Sequence, residues 1–185
     1  MFIQTENTPN PATIKFIPGV AVMEEGSAEF QNAEQATKSA IAERLFQIAG
    51  VERIFFGSDF ISVTKSEASD WQNMKAPILA AIMQHFSMKL PLFKDGFAAT
   101  ESNDDLLDEI SKQIKELIDK RVRPAVAMDG GDIVFEKFDK GVVYLRMHGA
   151  CSGCPSSTVT LKNGVETMLR HYVPEVLEVR QVAEY

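Results

Sequence analysis

Cysteine is nearly missing: the 185 residues contain two, Cys151 and Cys154, with two positions between them. So few thiols exclude a disulfide-stapled scaffold. In a reducing compartment a pair at this spacing serves metal binding or redox chemistry rather than a structural bridge. Long apolar runs are missing as well, none approaching the ~18 residues that cross a bilayer. Met1 to Pro11 is polar and has no arginine, unlike a signal or transit peptide. The expectation is therefore a soluble protein without a membrane partner, cytoplasmic by default. A basic excess is absent too. With a formal net charge of -7, the chain has the wrong sign for a nucleic-acid partner, whose phosphates call for a basic footprint. There is no internal repeat. What remains is a 45% hydrophobic chain long enough for one large or two small domains.

The periodicities favour two. Thr13 to Ile17 is a short strand between Pro-containing turns, and Glu34 to Ile48 carries Ala40, Ile41, Leu45 and Ile48 at helical spacing up to Gly50. Val51 to Phe56 and Phe60 to Thr64 form a hairpin around Gly57-Ser58-Asp59. Asp70 to Phe86 is a second helix, capped by Ser69 or Asp70 and kinked at Pro77. These elements make an α+β domain over residues 1–86. Residues 87–103 lose the pattern and gather Pro91, Gly96, Ser102 and Asn103, which marks a linker, although Leu90, Leu92, Phe93 and Phe97 are unusually apolar for one.

A domain over 104–185 follows. Ser102 and Asp105 resemble a capping box, and Ile110, Ile114, Ile118 and Val122 form one stripe of a helix that Pro124 interrupts. Met128 to Asp132 is a glycine turn into a strand from Ile133 to Phe138, and Asp139-Lys140-Gly141 closes a hairpin onto Val142 to Met147. Val143, Leu145 and Met147 share one face of that strand. The cysteine loop comes next, then a helix opened by Pro155 with Leu161, Val165, Met168, Leu169 and Tyr172 at helical spacing, then a strand over Val176 to Val182. The fold class is α+β: two small α/β-sandwich-like domains joined by a linker, the second in the order helix, strand, strand, CxxC loop, helix, strand.

The cysteines thus lie between a strand end and a helix N-terminus, where unpaired N–H groups and the helix dipole favour the thiolate. Four readings compete. A dithiol-disulfide oxidoreductase also places CxxC at the start of a helix, but the thirty or so residues after Cys154 supply one helix and one strand where a thioredoxin-like sheet needs more. A zinc site wants four nitrogen or sulfur ligands, and the candidates beyond the cysteines are His148 and His171, at a strand end and far along a helix. Two buried cysteines acting as small hydrophobes fit poorly beside Gly149, Ser152, Gly153 and Pro155. An iron-sulfur cluster takes four thiolates, which two copies of the chain related by a two-fold axis would provide.

At Asp129-Gly130-Gly131-Asp132-Ile133 and Gly149-Ala150-Cys151-Ser152-Gly153-Cys154-Pro155 the sequence resembles the C-terminal domain of NifU, shared by the Nfu-type iron-sulfur scaffold and carrier proteins. The preceding helix, the Arg123-Pro124 break and Pro174-Glu175-Val176 extend the likeness over roughly residues 104 to 182. Thr8 to Phe16 and Pro18-Gly19 resemble the opening of the N-terminal domain of Nfu proteins. The resemblance implies that Cys151 and Cys154 are the metal ligands of a [4Fe-4S] cluster, with [2Fe-2S] as the alternative, bridging two protomers. It implies a non-enzymatic carrier with an upstream cluster donor and apo iron-sulfur client proteins as partners, and a role for the first domain in docking them. Because the N-terminus does not look like a transit peptide, the expected setting is the bacterial cytoplasm, with a mature mitochondrial form as the second choice.

Overall fold

Phe16, Phe30 and Phe56 come from three different strands and meet in one core with Ile41, Leu45 and Ile82 from two helices. The computed structural model that places them describes residues 2–94, 108–153 and 155–182, with side chains from 159 onward in the last segment. The chain forms two compact units, 1–101 and 102–185.

In the first unit the elements run β1 (Gln4–Asn7), β2 (Thr13–Ile17), β3 (Ala28–Phe30), α1 (Ala33–Ala36), α2 (Ala40–Phe46), β4 (Val51–Phe56), β5 (Ile61–Lys65) and α3 (Trp71–Ser87). The sheet is antiparallel throughout, in the order β1-β2-β5-β4-β3. Both outer strands escape the sequence pattern. β1 is polar and mostly exposed, and β3 has three residues, so neither shows the apolar alternation that a half-buried strand needs. The single helix expected over 34–48 is two, because Ser39 takes an extended conformation and caps α2: its hydroxyl accepts from Ala42 N–H at 3.4 Å and donates to Leu92 O at 2.6 Å. Serine favours such a cap over a helix interior.

Leu92 and Phe93, inside the expected linker, pack against this first core. The Phe93 ring lies 6.4 Å from that of Phe30 and 6.3 Å from that of Phe56, and Lys94 donates its N–H to Lys38 O at 2.9 Å and meets Glu43 at 2.7 Å. Residues 95–103, with Phe97, lie outside the described residues.

His85 on α3 is buried, and among the described residues its Nε2 has no hydrogen-bond partner. Burial, and then the Arg44 cation, hold its pKa below 6.5. The folded state therefore keeps His85 neutral where the unfolded chain protonates it, so stability is whole above pH 6.5 and falls as the pH drops toward the lowered folded value. We expect the unfolding free energy of the first unit, taken from urea melts, to fall between pH 7 and pH 5.5, by at most about 1.4 kcal/mol per pH unit from this one group. His85→Leu should flatten the dependence; an unchanged slope would refute the assignment.

The second unit begins, among the described residues, at Asp108, whose carboxylate accepts from Ser111 N–H at 2.7 Å as the cap of α4 (Glu109–Leu117). The capping box expected at Ser102 lies outside the described residues. Pro124 does not end this helix, contrary to expectation. One π turn, Ile118–Val122, precedes it, with Arg123 N–H reaching back five residues to Ile118 O, and α5 (Arg123–Met128) continues beyond. A wider turn relieves the clash of a proline ring with the carbonyl four residues earlier. Ile114, Ile118, Val122 and Val126 stay buried through it.

β6 (Gly131–Asp139) and β7 (Val142–Gly149) form a hairpin whose two turn residues, Lys140 and Gly141, both have positive φ, at 50° and 84°. Such a turn matches the twist of the strands. After α6 (Pro155–Tyr172), β8 (Glu178–Gln181) pairs parallel to β7, giving the order β6-β7-β8. Val143, Leu145 and Met147 of β7 are buried against Val165 and Leu169 of α6. Tyr172, expected on the packing stripe, is instead 40% exposed, with the Arg121 guanidinium 4.8 Å above its ring. The α+β class holds, and so does the element order expected of the second unit.

Candidate functional site

β7 delivers the cysteine loop, and glycine lets it turn. Gly149, the last strand residue, has φ 62°, a left-handed conformation that other residues adopt at a cost. From there the backbone folds on itself. Ala150 N–H donates to Gly130 O at 3.2 Å, Cys151 N–H to His148 O at 3.4 Å and Ser152 N–H to Gly149 O at 3.1 Å. Cys151 is 7% exposed. Gly153 is exposed, has φ 79° and faces open space. Cys154 lies outside the described residues, and α6 starts at Pro155. The loop therefore runs into the N-terminus of an 18-residue helix, the electrostatic setting that favours a thiolate over a thiol.

Gly131 closes the site from the side. It pairs with Gly149 across the hairpin, and a Cβ placed on it would sit 2.5 Å from Cys151 Sγ, 2.9 Å from His148 O and 3.0 Å from Cys151 N. The head of β6 is thus a wall of bare backbone against the thiol. Read from sequence, Asp129 to Asp132 is a glycine turn between helix and strand; the turn exists, with Gly130 at φ 78°, and Gly131 adds this second duty. Because two of the three collisions are with backbone, Gly131→Ala should displace the cysteine loop and cost about 1–3 kcal/mol, the range for overpacking. A urea melt of the variant checks this, and a midpoint equal to the parent's would refute it.

Behind Gly131 stands an ion pair that the sequence reading did not find. Asp132 is 5% exposed. It accepts from Arg123 Nε to Oδ1 and from Nη2 to Oδ2, both at 2.8 Å, and Oδ1 also accepts from Ile133 N–H at 2.8 Å. Two parallel bonds of this kind fix orientation as well as distance. Arg123 also reaches Asp119 at 3.3 Å, and Asp119 meets Lys115 at 3.2 Å. The bond to Asp132, helped by the Asp132 and Asp119 charges, outweighs burial, which acts to lower it, and raises the Arg123 pKa further above its already high value, so the cation is permanent. The only sequence signal was the Arg-Pro step in a helix followed eight residues on by Asp.

His148 stands opposite Asp132 in the hairpin register, half-buried. His171 is exposed on the last turn of α6, with its ring edge on Tyr172 at 4.9 Å. Among the described residues no three histidine, cysteine, aspartate or glutamate side chains gather as a metal site.

The class defined so far is an α+β chain of two units whose second presents a CxxC loop where a strand gives way to a helix. Family comparison agrees with both units: the family described as "Scaffold protein Nfu/NifU N terminal" matches residues 3–89, and the "NifU-like domain" matches residues 114–180. The chain belongs to the Nfu/NifU family. It is similar to NifU-like protein 4, mitochondrial, of Arabidopsis thaliana, 52% identical over 98% of this chain and 66% of that protein. It is also similar to the NFU1 iron-sulfur cluster scaffold homologs, mitochondrial, of Drosophila willistoni, 49% identical over 98% of this chain and 64% of that protein, and of Homo sapiens, 46% identical over 100% and 73%. The chain spans about two thirds of the length of these relatives.

Their names correct one expectation. The bacterial cytoplasm was inferred from a polar, arginine-free start, yet the relatives are mitochondrial, which points to mitochondria. Targeting leaders are removable addresses outside the folded domains, so the start of a sequence is a weak guide to location. No helix among the described residues is long and apolar enough to cross a membrane.

Proposed function

We propose that this chain is an iron-sulfur cluster scaffold that holds a [4Fe-4S] cluster between two protomers through Cys151 and Cys154 of each, and passes it to apo-proteins. The observation that carries the reading is the placement of Cys151: at the end of β7, against the bare backbone of Gly131, in a loop that enters a helix N-terminus. Thiolate is the donor that iron-sulfur clusters take. The names of the relatives support a scaffold rather than an enzyme.

The cluster is cargo. Ligand exchange between thiolates moves it, so the protein's task is to hold it firmly enough to protect and loosely enough to give up. A site divided between two protomers opens by separation, whereas a site closed within one chain would retain its cluster. An upstream donor loads the loop and client apo-proteins unload it, with the first unit available for docking them. A [2Fe-2S] cargo would satisfy the same four thiolates. The dithiol oxidoreductase reading finds no support in the relatives, of which the NFU1 homologs are named scaffolds.

Anaerobic reconstitution with ferrous iron and sulfide tests this. We expect broad visible absorption and about two irons and two sulfides per chain, the share of a four-iron cluster held by two. Mössbauer spectra of that sample separate the two cluster types. A colourless product without bound iron would overturn the reading.

A further inference from the structure

We propose that Asp132 is a positioning residue for Cys151: by tying the head of β6 to Arg123 it keeps the Gly131 backbone as a wall against the thiol, and so sets how readily Cys151 is reached and how long it holds its cargo. Only the clause about cargo rests on the function proposed above; the control of thiol access stands on geometry alone.

Two locally costly features converge on this backbone. A buried carboxylate must be desolvated, and a hydrophobic residue of similar size often serves stability as well. Yet Asp132, the second residue of β6, is 5% exposed and accepts from Arg123 Nε, Arg123 Nη2 and Ile133 N–H. The second is the π turn at Ile118–Val122. Its extra residue gives up regular helical bonding and rotates everything after it by about 100° about the helix axis. Arg123, the first residue after the turn, therefore faces Asp132 with its Nε and one terminal nitrogen, and keeps Asp119 on its other terminal nitrogen.

From Asp132 the path to the thiol is one residue long. Gly131 is its chain neighbour, and there is no slack between Gly131 and Cys151: a methyl group would lie 2.5 Å from Sγ. A small shift of the β6 head therefore moves the wall directly. It also moves the anchor, because Gly130 O accepts the Ala150 N–H just ahead of Cys151. The ion pair is thus the means by which a helix outside the loop governs the loop.

Alkylation of Cys151 by iodoacetamide, in apo-protein carrying Cys154→Ser so that one thiol reports, reads the proposal without a cluster. Asp132→Ala and the milder Asp132→Asn should raise the rate about tenfold or more, since loss of charge-assisted bonds makes local opening of the loop that much more frequent. Val179→Ala, in the buried far end of the sheet, supplies a control that loses packing without touching the loop. Should Asp132→Ala fail to fold, Asp132→Asn, which retains an oxygen for Ile133 N–H, carries the test. Faster alkylation in the Asp132 variants alone supports positioning. Unchanged rates, or an equal rise in Val179→Ala at matched urea midpoint, overturn it. In the two-cysteine protein the Asp132 variants should also release reconstituted iron to a chelator faster. Failure of the parent to take up iron and sulfide would sink the scaffold function and leave the alkylation result standing.

Discussion

Cys151→Ser or Cys154→Ser is expected to abolish stable retention of the cluster while the protein stays folded. The effect should be all or none, because each thiolate would be one of four ligands and a serine hydroxyl, with a pKa far above the working pH, does not replace it. Two-fold pairing doubles the damage: one substitution removes two ligands from a shared site. The fold should be spared. Cys151 contributes a small buried side chain at the edge of the second core, and oxygen for sulfur at that position belongs with ordinary point changes of about 1 kcal/mol. Iron and sulfide analysis after anaerobic reconstitution, beside a urea melt of the same preparation, measures both halves. Normal iron content in either variant would remove that residue from the ligand set. Loss of iron together with collapse of the melt would mean that the thiol holds the fold rather than the cargo.

How much of this was legible in the sequence differs sharply between elements. The β4–β5 and β6–β7 hairpins were readable because apolar strands flank short turns with glycine at the tip, and the alternation of Val143, Leu145 and Met147 named the buried face correctly. Long helices were readable where the stripe was regular, as in α3 and α6. What stayed hidden depends on partners distant in sequence. β1 and β3 exist because β2 and β4 offer them an edge, not because Gln4–Asn7 or Ala28–Phe30 prefers to be a strand. The break before α2 hangs on a bond from Ser39 to Leu92, 53 residues away. Pro124 looked like a helix stop because no local rule announces a π turn.

At the site the same division holds. Two cysteines between a strand and a helix are local and visible, whereas the thiol's contact with Gly131 and the Arg123 bond to Asp132 appear only once the hairpin register is known. Even so, glycine at 131 and aspartate at 132 were flagged together by the motif. Sequence showed that the stretch mattered and left open how.

Loading should double the particle. On the proposed shared-cluster reading, two cysteines per chain and four thiolates per cluster call for a second copy, so oligomeric state would become a readout of occupancy. Anything that binds the dimer and not the monomer shifts the equilibrium by mass action. Apo-protein should therefore run smaller than holo-protein at equal concentration, dilution should cost cluster as well as mass, and a chelator should return the protein to its apo size. The rival is a shell completed within one chain by His148 or a small thiol. His148 lies on β7 opposite Asp132 in the strand register. Light scattering on anaerobic holo-protein, with iron and sulfide measured on the same fraction, decides the matter. A dimeric mass with one cluster per two chains is the expected result. One cluster per monomeric particle would refute ligand sharing, and an apo-protein already dimeric at every dilution would show that something other than the cluster joins the protomers.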